Sequence, residues 1–142
     1  MKRRGNNKDI TQLFQLMARD EARHAGFIND ALREAGYETA ICGKWHLGEF
    51  QPEYRPTHRG FDHQYGHWFG ALDYFTHRRD GELDWHRDDQ LCKDEGYSTH
   101  LVAGEACRII REKDPAKPLF LYLPFNAVHG PHQVPESYCE PY

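Results

Sequence analysis

Apolar residues recur every three or four positions from Asp9 to Ala35, which predicts one long amphipathic helix. Asp9 can cap its start, and Gly36 is a natural C-terminal stop. Two polar residues, Glu21 and His24, lie on the same stripe, so we expect both side chains to point inward. A carboxylate in such a place must be paired or metal-bound, because burying it bare is very costly. The stripe consists of Ile10, Phe14, Met17, Glu21, His24, Ile28, Ala31 and Ala35.

Beyond this helix, short apolar runs alternate with turn residues. The predicted elements are a strand over Tyr37–Cys42, a turn over Gly43–Gly48, an ordered loop over 49–70, a hairpin over Leu72–His86, a helix over Thr99–Lys113, a strand over Pro118–Phe125 and a helix from Pro135. Asp80-Gly81 is a typical hairpin turn, and the unbroken apolar run after Pro118 is typical of a strand covered on both faces. The inward residues of the second helix are predicted to be Leu101, Val102, Ala106, Ile109 and Ile110. This order of elements predicts an α/β fold.

Composition narrows the class of protein. The 142 residues fit one domain, and the net charge of -4 gives no electrostatic reason to expect a nucleic-acid partner. No signal peptide is predicted, because Thr11, Gln12 and Gln15 interrupt the apolar run that would have to follow the basic start. No stretch approaches the ~20 apolar residues of a transmembrane helix. The four cysteines contain no C-x-x-C pair, which argues against a zinc knuckle and leaves disulfide pairing open.

A candidate binding site follows the ends of two predicted strands. Lys44 and His46 come just after the strand that ends at Cys42, and His129 follows the apolar run near Leu123. In open α/β sheets, ligands bind beyond the carboxyl ends of the strands. An ammonium group and two imidazoles could surround an oxyanion, the lysine as a point charge and a histidine as a proton donor. The alternative is a surface lysine and two histidines that only satisfy loop carbonyls.

From Ala31 to Tyr142 the sequence resembles the sulfatase family, and most closely its arylsulfatase B type. The matching stretches are ALREAGYETAICGKWHLG, PTHRGFDHQYGHWFGALDYFTH, KPLFLYLPFNAVHGPHQVPESY and EPY. The resemblance implies an alkaline-phosphatase-like sheet and hydrolysis of sulfate esters by a formylglycine beside calcium, with a sulfated small molecule or glycan as partner. Lys44 would bind the sulfate, His46 would orient the formylglycine hydroxyl, and His129 would contact the sulfate near the leaving oxygen. Asp62, in the RGFD loop, is assigned no chemistry.

Two parts of the family's pattern do not occur in these residues. No cysteine is followed by x-P-x-R or x-A-x-R, so the formylglycine precursor is missing. The family's early Asp-Asp pair for calcium, which would precede the matched stretches, is missing as well, and the later Asp-Asn pair would lie beyond Tyr142. We therefore expect half of a sulfatase site, inactive by itself. The compartment stays open, although the resemblance implies a family that is often secretory, lysosomal or periplasmic.

The Glu21 and His24 pair raises a second hypothesis. Glu-x-x-His places both side chains on one helix face, as di-iron carboxylate proteins require. The segment LFQLMARDEARHAGFINDAL resembles a helix of the aerobic magnesium-protoporphyrin IX monomethyl ester cyclase, which implies that Glu21 and His24 are iron ligands of an oxidoreductase. No second E-x-x-H occurs in the sequence. The plain alternative is a buried pair bonded to each other or to Asp20 and Arg23.

The two resemblances meet at ALREAG, residues 31–36, so we interpret the chain as a fusion or chimera. Its expected parts are a disordered start over 1–8, a cyclase-like amphipathic helix over 9–36 and an incomplete sulfatase-like α/β segment over 37–142. The first function hypothesis is a sulfatase segment, and the second is a fragment of a di-iron cyclase. A third is a non-enzymatic helical or anion-binding module.

Overall fold

The computed structural model describes the backbone of residues 7–140 and the side chains from residue 16 onward, except 18, 19 and 22. It contains a mixed sheet, a separate small hairpin and two long helices. The elements are α1 (Asn7–Glu34), β1 (Glu38–Lys44), β2 (His63–His67), β3 (Arg78–Arg79), β4 (Glu82–Leu83), β5 (His86–Arg87), β6 (Gln90–Leu91), α2 (Ser98–Glu112) and β7 (Leu119–Tyr122), with 3-10 turns at Pro52–Tyr54, Pro56–Arg59 and Glu136–Tyr138.

The sheet has the strand order β6-β5-β2-β1-β7, and β1 is parallel to both of its neighbours. The carboxyl ends of β1, β2 and β7 therefore meet at one edge. The strands β3 and β4 form the predicted hairpin, with positive φ angles of 50° at Asp80 and 88° at Gly81. Two left-handed residues in succession are typical of a type I′ turn, so this prediction is confirmed.

Two hydrophobic clusters lie on opposite faces of the sheet, because successive strand side chains point to opposite sides. Cys42 and Tyr65 pack with Trp85 and with Val102 and Ala106 of α2. The other cluster consists of Ile41, Trp45, Phe61 and Trp68, with Ala25 of α1 packed against it. Each helix thus covers one face, as the predicted α/β architecture requires.

The end of α1 follows the sequence signal. Gly36 has a φ of 85°, and its N–H donates to the Arg33 carbonyl at 2.9 Å. The next N–H, of Tyr37, donates to the Leu32 carbonyl at 3.0 Å. These two bonds form a Schellman motif, which turns the chain directly into β1.

The predicted buried face of α1 is wrong. Met17 is 50% exposed and Ile28 is 56% exposed, and Glu21 and His24 are exposed as well. The buried positions are instead Gly26 and Asn29, which lie against the 59–60 loop. The Asn29 side chain donates to the Arg59 carbonyl at 2.8 Å. Close backbone approach and a polar bond therefore orient this helix, and the apolar stripe does not. The side chains of Ile10 and Phe14 lie outside the described residues, as do residues 1–6 of the predicted disordered start.

Several other predictions need correction. The predicted loop over 49–70 contains β2, a central strand. β7 lies at the edge of the sheet in the described part of the chain. Leu121 and Phe120 pack against the clusters on its two faces, as predicted, but Tyr122 is 46% exposed. In α2, Val102 and Ala106 are buried as predicted, but Ile110 is 54% exposed. The predicted helix from Pro135 is a single 3-10 turn in the described residues. None of the described helices is long and apolar enough to cross a membrane.

Candidate functional site

Lys44 lies at the edge where the parallel strands end. It is the last residue of β1, and its register partner is His67, the last residue of β2. The main-chain ladder continues beyond both strands, because the N–H of Trp45 donates to the His67 carbonyl at 2.9 Å. On the other side, the N–H of Lys44 donates to the Pro124 carbonyl at 2.7 Å. The backbone around Lys44 is thus fixed from both neighbouring strands.

The imidazole of His46 lies over Gly70. A Cβ atom at Gly70 would stand only 2.5 Å from Nε2 of His46, so glycine is required for this approach. Burial lowers the pKa of His46, and the positive charges of Lys44, Arg79 and His129 lower it further. His46 is therefore neutral at pH 7 and can accept a hydrogen bond.

His129 lies in the loop after β7, and side chains from the segment before β3 hold this loop. The Tyr74 hydroxyl donates to the His129 carbonyl at 2.8 Å. Tyr74 is itself fixed, because its N–H donates to Oε1 of Gln133 at 2.8 Å. The amide of Gln133 donates to Asp73 at 2.6 Å. His129 thus follows the carboxyl end of β7, and β7 is parallel to β1, which ends at Lys44.

Sequence reasoning missed two further residues, His67 and Asp84. His67 is 1% exposed, and its Nδ1 donates to the Phe69 carbonyl at 2.9 Å. Its Nε2 has no partner among the described residues. Asp84 accepts the N–H groups of Trp68 and Phe69 at 3.0 and 2.9 Å. Burial opposes the charge on Asp84, but His86 and these N–H groups outweigh burial and lower its pKa. Only the folded chain brings these residues together, so no local motif signals them.

His67 predicts a specific pH dependence of stability. Burial lowers its pKa to about 4, with smaller contributions from Lys44 and His46, while Asp84 opposes the shift. The unfolded chain takes up this proton near pH 6.5 and the folded chain does not, so stability is complete above pH 6.5 and falls as the pH drops towards 4. We expect His67→Gln to remove up to about 3 kcal/mol of this pH dependence, measured by urea unfolding.

His132→Gln is the matched control, because His132 is exposed. This variant should keep the pH dependence of the wild type. An unchanged slope in His67→Gln would contradict the assignment.

Glu21 and His24 lie on the exposed surface of α1, so the inward placement predicted for them is wrong. Glu21 nevertheless lies close enough to His46 to raise the pKa of that ring slightly, against the larger effect of burial. Within the described residues, no group of three or more His, Cys, Asp or Glu side chains could hold a metal ion.

The sulfatase family model matches residues 5–142. The chain belongs to the sulfatase family. Among curated relatives, mouse arylsulfatase J is 40% identical over 119 residues, which are 78% of this chain and 20% of that protein. The arylsulfatase of Klebsiella aerogenes is 30% identical, over 78% of this chain and 25% of that protein. The chain therefore spans about a quarter of these sulfatases or less.

Solved structures agree with the fold. Ps i-CgsB, crystallised in complex with k-i-k-neocarrahexaose, aligns with a TM-score of 0.69 and 28% identity, over 78% of this chain and 28% of that one. The PsFucS1 sulfatase from Pseudoalteromonas aligns with a TM-score of 0.53 at 23% identity, which supports the fold alone. The α/β sheet with flanking helices is thus part of an alkaline-phosphatase-like sulfatase fold, as predicted.

Proposed function

We propose that this chain carries part of a sulfate-ester hydrolysis site, with Lys44 and His129 binding the sulfate and His46 orienting the nucleophile. The main support is the placement of Lys44. It ends β1 at the edge where the parallel strands end, between the end of β2 and Pro124 in the loop after β7. The His46 imidazole lies against Gly70, just beyond β2, and a lysine at such strand ends is suited to an oxyanion.

Each residue would do a separate part of the chemistry. Sulfate-ester hydrolysis needs a nucleophile, neutralisation of the sulfate charge and a proton for the leaving oxygen. Lys44 would neutralise charge as a compact cation, and His129 would donate a hydrogen bond or a proton near the leaving oxygen. Neutral His46 would accept a hydrogen bond from a formylglycine hydroxyl and so orient it.

The formylglycine and calcium of the family are not assigned to residues of this chain. No cysteine here is followed by x-P-x-R or x-A-x-R. Calcium requires several oxygen ligands, and the described residues contain no group of side chains that could hold a metal. The described residues therefore do not fit a calcium ion. We propose that the chain binds anions but does not turn over sulfate esters by itself.

Sulfate titrations test this proposal. We expect the chain to bind sodium sulfate weakly at low ionic strength and Lys44→Ala to weaken binding at least tenfold, which corresponds to ~1.4 kcal/mol. Isothermal titration calorimetry, or NMR shifts of the histidine side chains, would measure it. The chain should release no phenol from nitrocatechol sulfate.

Lys117→Ala is the matched control, because it removes the same charge beside Glu38, at the other end of β1. It should bind sulfate as the wild type does. Equal losses in both variants would indicate a nonspecific charge effect and overturn the site. Steady calcium-dependent release of the phenol, abolished by His129→Ala, would contradict the expected inactivity.

The substrate class follows from the family. We infer a sulfated small molecule or glycan. The alternative, a fragment of a di-iron cyclase, has only the Glu21 and His24 spacing and the resemblance of that helix in its favour. Both side chains are exposed. The third hypothesis, an anion-binding module without activity, differs from our proposal only in whether the whole protein is an enzyme.

A further inference from the structure

An exposed aromatic surface adjoins the Lys44 site. Phe69 packs edge-on against Phe50, with ring centroids 5.9 Å apart, and the Arg79 guanidinium lies 5.2 Å from the centre of the Phe69 ring. Phe50 is 77% exposed, an unusual position for so large an apolar side chain. We call Phe50, Phe69 and Arg79 the aromatic ledge.

The ledge is continuous with the anion site. Phe69 is followed directly by Gly70, and the His46 imidazole lies against Gly70. The Arg79 charge also reaches the site, since it contributes after burial to the lowered pKa values of both Lys44 and His46. A ligand held by Lys44 would therefore have the ledge beside it.

The position of Arg79 is fixed by the fold. It pairs with Glu82 across the β3–β4 hairpin. The hairpin leads into Asp84, whose carboxylate binds the N–H of Phe69 and whose own N–H donates to the His77 carbonyl at 2.9 Å. Asp84 thus joins the hairpin to the end of β2, so the backbone of the hairpin that carries Arg79 has a set place relative to the site.

The acidic neighbours of Arg79 leave its charge available. Nε of Arg79 lies 3.5 Å from Asp80, but that carboxylate side chain is 90% exposed, and exposed pairs contribute little. Burial raises the pKa of Glu49, and the charge of Arg79 lowers it. A dianionic ligand would meet the positive charges of Lys44 and Arg79 together.

We propose that Arg79 is a specificity residue, which binds a second anionic group of the sulfate ester while Phe50 and Phe69 contact the apolar face of its organic part. This inference rests on the proposed function of Lys44. The substrate class is therefore a sulfate ester that carries a further sulfate or carboxylate. Stacked arginine is suited to this role, because its planar guanidinium binds oxyanions through two N–H groups at once.

Two stable probes test the proposal on the 142-residue chain. Naphthalene-1-sulfonate carries one anion, and naphthalene-1,5-disulfonate carries two. We expect the wild type to bind the disulfonate more tightly at low ionic strength. Arg79→Ala should reduce that preference about fivefold and leave monosulfonate binding within about twofold. Arg79→Lys should restore part of the preference, which shows that a folding defect is not the cause.

Arg111→Ala is the charge-matched control, because Arg111 is an exposed arginine in the last turn of α2. An equal loss of preference in this variant would overturn the role of Arg79. If Lys44→Ala weakens both probes but Arg79→Ala changes neither, the proposed function stands and this inference fails. If Lys44→Ala changes neither probe, or if neither probe binds, both fail.

Discussion

Gly43→Ala should lower the free energy of unfolding by at least about 3 kcal/mol, the range of severe core defects. Gly43 has a φ of 128°, which L-residues rarely adopt, and a methyl group there would overlap the carbonyl oxygen of Pro124. A methyl group at Gly66 of β2 would likewise overlap the carbonyl oxygen of Gly43. The substitution would push β1 away from β7 and break the bond between the Lys44 N–H and Pro124. Urea unfolding followed by circular dichroism measures the loss.

Gly104→Ala is the control. A Cβ atom at this exposed position of α2 would meet no neighbouring group of the described residues within 4 Å, apart from the backbone of its own helix. Alanine is a better helix former than glycine, so this variant should be about 0.5–1 kcal/mol more stable. A Gly43→Ala chain as stable as the wild type would show that β1 and β7 are not packed as described.

Glu105→Ala should cost about 2–3 kcal/mol, somewhat less than the usual loss of a fully buried ion pair. The Glu105 carboxylate is buried on α2, where it accepts from Nη2 of Arg108 at 2.7 Å and contacts Nε2 of His63 at 2.8 Å. It also binds Arg87. Its removal leaves Arg87 and Arg108 without their shared partner, although both arginines are partly exposed and regain some water.

The pH dependence of this effect has a definite sign. Burial opposes the charge on Glu105, but the bonds from Arg108 and Arg87 outweigh burial and lower its pKa to about 2. The stabilisation is therefore complete above the ordinary value of 4.5 and is lost as the pH falls from there towards 2. Wild type and Glu105→Ala should converge in stability over that window.

Glu112→Ala is the matched control for the same helix. Among the described residues Glu112 binds only Arg108, and its side chain is 61% exposed, so its loss should cost less than about 0.5 kcal/mol. Equal effects of the two substitutions would show that burial of Glu105 does not matter.

The sequence predicted those elements that local chemistry determines. Gly36 ends α1, and Asp80-Gly81 turns the hairpin, because each residue has the backbone freedom that its motif requires. β2 was missed since its sequence, HQYGH, is polar and lacks alternation. Several of its polar groups bond to distant partners, such as Asp88, whose carboxylate accepts the Gln64 N–H at 2.9 Å.

The same distinction applies to the site. Lys44 and His46 belong to a motif in the sequence, so the family resemblance is enough to propose them as site residues. Arg79 and Asp84 act through contacts that form only when the hairpin packs on the end of β2, and no spacing signals this. The apolar stripe on α1 led to a wrong prediction of its buried face. Hydrophobic periodicity does not show that Gly26 and Asn29 allow the helix to approach the 59–60 loop more closely.

The close approach of Gly43 and Gly66 has a consequence for the evolution of such a site. Where the three strands end, main chain packs on main chain, so no side chain has to be matched to a neighbour there. Loops beyond this layer can change in length and composition without loss of register, provided that both glycines are kept. The fold thereby separates the inheritance of the backbone geometry at these strand ends from the divergence of the loops beyond them.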